Sequence, residues 1–168
     1  MTKIEELKKK KAAAWDEYEN THCWVMDDQE RSQARNARFL AIALDEEIRG
    51  LEMELHIEKI ARVCHQTNKA YCESLDDMSQ VDWEEAPEWQ KESARNGVRF
   101  HLNTISTPEG SHKNWMEVKE ADGWIYGEVK DVDKKTHPCF LPYEKLPDDQ
   151  KIKDYIFRSV IEHMDMGK

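Results

Sequence analysis

Two aromatic side chains and a run of cations stand close together in the stretch Gly123–Tyr143, GWIYGEVKDVDKKTHPCFLPY. Trp124, Ile125 and Tyr126 in succession favour an extended backbone. In a strand, Trp124 and Tyr126 share one face and Ile125 takes the other. Lys130, Lys134 and Lys135 occupy the loop that follows, and His137 closes it. Flat rings beside ammonium groups suit a planar, anionic ligand. Stacking a base on an aromatic ring contributes roughly 1–3 kcal/mol, and lysine offers a phosphate a point charge. Upstream, Arg95 and Arg99 are four apart and share a helix face; a guanidinium grips phosphate through two parallel hydrogen bonds. Each candidate has a plainer alternative. Trp124 can fill a small core, the lysines can form a solvated loop, and the arginines can pair with nearby acids.

Other chemistry finds less support. His112 and Trp115 are three apart and share a helix face, which suits a hydrogen-bonded histidine beside a ligand better than a reacting one. Cys64-His65, Cys72 and His137-Pro138-Cys139 lack the two paired ligand clusters of a zinc site, so Cys64 and Cys139 are read as core. GxSxG, P-loop, HExxH and glycine-rich dinucleotide motifs are absent from the sequence. Cys64 and His65 are helix neighbours and do not face each other. The expectation is a binding protein, not an enzyme, with no catalytic residues, metal or cofactor.

Composition narrows the partners. A formal net charge of −10 disfavours general nucleic-acid binding, though it leaves room for a local cationic pocket. The chain is 39% hydrophobic and 36% charged, which suits long solvated helices on a modest core. The four cysteines form no CxxC pair, and neither a signal peptide nor an apolar run of spanning length is present. A cytoplasmic protein with reduced thiols and no membrane partner is expected.

The positioning elements follow from periodicity. Ile4, Leu7, Ala14 and Tyr18 fall at gaps of 3, 7 and 4, with Lys11 interrupting their stripe. NTHCWVMDD at 20–28 breaks the pattern; Asn20 and Thr21 can end one helix, and Asp27 or Asp28 can start the next. Ala34, Ala37, Ala41, Leu44, Ile48, Leu51 and Leu55 then alternate at gaps of 3 and 4, a heptad repeat. The first helix can fold back onto this seam as a hairpin, or the seam can pair with another chain. Because Lys11 makes the cover partial, a homo-oligomer, most simply a dimer, is expected. Ile57, Ile60, Cys64, Thr67 and Tyr71 continue a helical face without a linker. Residues 75–87 read as a loop, and Pro87 suits the first turn of a helix running to about Leu102. Ser111 is placed to cap a short helix that ends at Gly123. The aromatic run at 123–127 and the run Pro138–Tyr143 read as a β-hairpin with a long loop, its prolines keeping the second strand short or at an edge. A last helix starts near Asp148.

Gly-Trp-x-Tyr-Gly at 123–127, Lys130-Asp131, His137-Pro138-Cys139, Pro142-Tyr143 and Leu146-Pro147, with His112-x-x-Trp115 upstream, together resemble the ryanodine-receptor repeat (RyR) domain. That domain recurs in large calcium-release channels and occurs singly in bacterial and phage proteins, which this chain resembles in size. The resemblance runs from about Ile57 to about Phe157. Together with the periodicity of the first 56 residues, it gives an α+β, mostly helical expectation: an N-terminal helical hairpin or coiled coil over 1–56, then an RyR-type domain of about four helices and a β-hairpin over 57–168. It also implies a nucleotide-derived ligand, with Trp124 stacking a purine and Arg or Lys groups holding phosphates. Sensing or sequestering a nucleotide signal in a bacterial cytoplasm is the role it suggests. The alternative is a structural or protein-interaction module presented on the coiled coil.

Overall fold

The heptad stripe of residues 34–55 and the helical face of residues 57–71 lie on one unbroken helix, α2 (Asp28–Glu73), which follows α1 (Lys3–Asn20). The computed structural model describes residues 1–21 and 27–165. His22–Met26, most of the break expected between the first two helices, lie outside the described residues. The chain divides into two compact units, Met1–His56 and Ile57–Lys168.

In the first unit, local signals set the helix ends. Thr2 and Glu5 form a reciprocal cap: the Glu5 N–H donates to Thr2 Oγ1 (3.3 Å) and the Thr2 N–H to the Glu5 carboxylate (2.7 Å). Asp27 and Glu30 repeat the arrangement ahead of α2, at 2.8 and 3.0 Å. Leu7 of α1 packs on Leu44 and Ile48 of α2, with Ile4 and Leu51 at the margin. Each fully buried Leu or Ile contributes about 1.5–3 kcal/mol. Ala34, Ala37 and Ala41 are buried as well, so within one chain the seam is closed as far as Leu51, and Leu55 is exposed. Cover is fuller than the interruption at Lys11 suggests, for a physical reason. Lys11 lays its stem along the stripe and carries its ammonium to Asp45.

The second unit packs α3 (Glu88–Asn103), α4 (Pro108–Ala121) and α5 (Asp148–Asp165) on one another and on the Ile57–Glu73 part of α2. Ile57, Ile60, Ala61, Cys64, Trp83, Val98 and Ile161 form its buried core, and Phe157 and Leu102 pack against it. Pro87 is the residue just before α3, not within its first turn. α4 starts four residues earlier than a cap at Ser111 would have it. Thr107 caps it by accepting from the Gly110 N–H (3.1 Å), Pro108 takes the first helical position, and Ser111 is buried. Gly123 ends the helix at φ +85°, a conformation that costs a side-chain-bearing residue most.

The expected β-hairpin is corrected. Strands β1 (Ile125–Tyr126) and β2 (Thr136–His137) pair in parallel, Ile125 with Thr136 and Tyr126 with His137. The reversal happens inside the loop instead. Asp131 and Thr136 exchange backbone hydrogen bonds of 3.0 and 2.9 Å in an antiparallel bridge, and Asp131 Oδ1 accepts from the N–H groups of Asp133 and Lys134. That extra turn brings β2 back in the same direction as β1. Pro138 and Pro142, which lack an N–H to donate, keep the following run out of the ladder. It passes over α4, where His112 Nε2 is 2.8 Å from the Leu141 carbonyl.

Candidate functional site

In the second unit a cavity of about 300 Å³ opens between α3, α4, α5, the Cys64–Asn68 turn of α2 and the segment Trp124–Cys139. That volume is at the small end of ligand sites.

One face of α4 supplies much of the wall, because His112, Trp115 and Lys119 repeat at helical spacing. The His112 ring stacks on Trp115 (5.5 Å, 26°), and Trp115 meets His137 edge-on at 5.0 Å. His137 lies 6.3 Å from Trp124, and Trp124 lies 6.2 Å from Trp89 at the start of α3. The motif tryptophan is anchored to α4 at two points. Its backbone N–H donates to the Lys119 carbonyl (2.9 Å) and its indole N–H to Asp122 Oδ2 (3.0 Å).

Three lysines enter this aromatic cluster. The Lys119 ammonium sits 5.0 Å from the Trp124 ring centre and 5.1 Å from that of Trp89, and Lys130 sits 5.3 Å from Trp89. Lys153 lines the cavity from α5. None of the three has a hydrogen bond or ion pair among the described residues. Burial lowers the pKa of Lys119, with Asp122 opposing and Lys130 and Lys135 reinforcing the effect. Lys130 is more open along its side chain, yet burial around its ammonium lowers its pKa too, and Lys153 adds to it. His137 is pushed down to about 4 by burial, then by the charges of Lys130, Lys119 and Lys153. It is therefore neutral at pH 7. Its Nδ1 accepts from the Cys139 N–H (3.1 Å), which leaves the proton on Nε2. Burial alone raises Asp154, the acid in the cavity wall, to about 7. The arrangement places three ammonium groups without an ion pair of their own beside flat rings and a neutral histidine, with Asp122 and Asp77 acting on them from farther off and Asp154 in the same wall.

The residues singled out from sequence divide sharply. Trp124, Lys130, His137 and His112 line the cavity. Arg95 does not: Glu58, Glu88 and Glu92 surround its guanidinium, and those bonds raise its pKa. Arg99 bonds Glu92 (2.8 Å) and Asn96 (3.0 Å). Lys134 pairs with Asp131 (3.1 Å) and Lys135 with Asp122 (3.1 Å). Tyr126 is exposed on β1, away from the cavity. Trp124 itself is only 4% exposed, its faces shared by Trp89, His137 and Lys119. Sequence reasoning passed over Lys119, Lys153, Trp89 and Asp154. Lys119 carries a findable signal, since it falls four residues beyond Trp115 on the same face; Lys153 carries none.

Among the described residues no group of three or more His, Cys, Asp or Glu is placed to hold a metal ion, and no helix is long and apolar enough to cross a membrane. Cys64, Cys72 and Cys139 are free thiols, and burial pushes Cys64 up to about 12.

Residues 101–164 match the family model of the RyR domain. The matched span begins at His101, later than the resemblance drawn from motifs. It takes in α4, both strands and most of α5, and with them all three cavity lysines. Trp89 lies outside it.

Proposed function

As the chain carries an RyR domain over residues 101–164, we propose that its cavity binds a small, nucleotide-derived anion and releases it unchanged. The observation that supports this reading is the meeting of Lys119, Lys130 and Lys153, all without carboxylate partners, with a wall of Trp89, Trp115 and Trp124. Aromatic faces take a base, and ammonium groups take the charge attached to it. A sensor or sequestering protein needs no more than this. Thermal melting against a panel of adenine nucleotides, cyclic nucleotides and ADP-ribose derivatives tests it. A ligand at a hundred times its dissociation constant adds about 2.7 kcal/mol to the folded state, and Trp89→Ala, at the partly exposed ring, should remove that gain. A panel that moves neither the melting temperature nor the tryptophan fluorescence would falsify the reading. Chromatography of the ligand after long incubation should return it intact; cleavage products would make the protein an enzyme.

A docking role is the second reading. It is favoured by Ile125, Tyr126, Val129 and Val132, all exposed on the strand pair and its loop. Homo-dimerisation belongs with it. Light scattering at micromolar concentration that returns a monomer removes the dimer.

A further inference from the structure

Lys119 is the one buried lysine among the described residues, and it has no ion pair. Acids outnumber Lys and Arg 35 to 25, so a surface lysine has carboxylates to choose from, and Lys134 and Lys135 each hold one. Lys119 is 9% exposed, so nine-tenths of it is buried, yet its ammonium meets only the faces of Trp89 and Trp124. Lys130 rests on Trp89 as well. Lys119 and Lys130 meet the same Trp89 ring, and Lys153 lines the same cavity. The ring faces stabilise an ammonium much less than an oxyanion does in the same low-dielectric surroundings.

We propose that Lys119, Lys130 and Lys153 form a site for a multiply charged oxyanion of the phosphate monoester or diphosphate class, with Lys119 its principal contact. This deepens the ligand-binding reading and rests on it. Two features set the charge class. A singly charged carboxylate leaves most of the positive charge uncompensated, whereas a diphosphate matches it. The neutral group nearby is a donor: His137 presents Nε2–H, because its Nδ1 accepts from the Cys139 N–H. Trp89, 37% exposed and outside the span of the family match, carries the Lys119 and Lys130 ammonium groups against its ring and keeps an exposed part beside the site. The ligand's flat group goes there, because Trp124 is covered.

The test uses isothermal titration of the full chain at pH 7 with pyrophosphate, ADP, AMP and adenosine. Four proteins are compared: unmodified, Lys119→Met, Lys130→Met, and Lys134→Met as a surface control. Pyrophosphate and ADP should bind the unmodified chain, each more tightly than adenosine. Lys119→Met and Lys130→Met should each weaken both by at least about tenfold, while Lys134→Met changes them less than about twofold. The second cavity variant guards against misfolding of the first, and melting curves report folding for each. Adenosine binding as tightly as ADP overturns the oxyanion site and leaves the ligand-binding reading standing. So does ADP binding that neither cavity variant weakens. Pyrophosphate binding that both variants weaken, with no nucleotide adding to it, keeps the oxyanion site and removes the nucleotide from the proposed function. No binding by pyrophosphate, AMP or ADP to the unmodified chain at millimolar concentration overturns the site outright.

Discussion

Lysines do opposite work in the two units. In Met1–His56, Lys3 reaches Glu47 (2.9 Å), Lys8 reaches Glu52 (2.8 Å) and Lys11 reaches Asp45, all between side chains at least a third exposed. In Ile57–Lys168, Lys119, Lys130 and Lys153 line a cavity, and Lys119 and Lys130 lie over tryptophan rings. The hairpin lysines are compensated in the folded chain and trim its surface. The cavity lysines are not, so the folded chain carries a cost there that a bound anion can offset. Charge count cannot distinguish the two sets. The ion pair, present in one set and lacking in the other, does, and for Lys119 so does burial.

The largest effect that would separate them comes from the hairpin core. Leu44→Asp places a carboxylate among Leu7 and Ile48, and a buried, unpaired charge of this kind costs more than about 3 kcal/mol. The expected result is a loss of helical circular dichroism at low temperature with anion binding to the cavity retained. Binding that falls in step with the helical signal would show that the lysine site depends on the hairpin.

Lys119→Met should do the reverse in the absence of ligand. Removing an uncompensated buried ammonium, with its ring contacts subtracted, should raise stability by about 1 kcal/mol. A site that binds well only at some expense to the empty fold behaves this way. A lower melting temperature for the variant would mean that the ammonium is a structural strut.

The pH dependence sharpens the picture through Asp154 and His137. In the unfolded chain Asp154 ionises near 3.8, but folded it holds its proton up to about 7. Its contribution to stability is therefore present at acid pH and is lost as pH rises towards 7. Asp154→Asn should leave stability unchanged at pH 4 and raise it by about 1–2 kcal/mol at pH 8, after a discount for solvent screening. His137 has the opposite slope: folded it titrates near 4 instead of 6.5, so its contribution is present above pH 6.5 and lost as pH falls towards 4. Thermal melts from pH 4 to 8 on the unmodified chain and Asp154→Asn separate the two. A uniform gain at every pH would assign Asp154 a packing role instead.

The helices were legible because their signals are local. The Ala34–Leu51 stripe and the start of α5 at Asp148 depend on neighbours a turn away. The strand pair was misread because direction depends on what a loop does in the middle. Asp131 and Lys135, at φ +52°, fold the loop once more than a hairpin requires. The arginines show the same limit from the other side. Arg95 and Arg99 do share a face, but which groups that face meets is a tertiary fact, and it meets Glu58 and Glu92. Of the cavity, the α4 face could be read by extending His112 and Trp115 by one turn to Lys119. Lys153 and Asp154 come from a helix packed against α4 from far along the chain, and no spacing announces them.

The smallest effect is the most pointed control. Lys8 and Glu52 are 2.8 Å apart, with about half of each side chain exposed. In water their attraction is screened, and holding two long side chains in one geometry costs entropy. Lys8→Met should thus change stability by less than about 0.5 kcal/mol and leave anion binding untouched. It removes the same charge as Lys119→Met and adds the same side chain, so net charge and hydrophobicity change equally in the two variants. Any difference in melting temperature or pyrophosphate affinity then comes from where the ammonium sits. Calorimetric melts in low and high salt complete the comparison: Lys8→Met should converge on the unmodified chain as salt rises, because exposed pairs are screened within a Debye length. The gain from Lys119→Met should persist, because a buried ammonium is beyond the reach of that screening. Equal behaviour of the two variants in both salts would place Lys119 with the hairpin lysines and end the distinction.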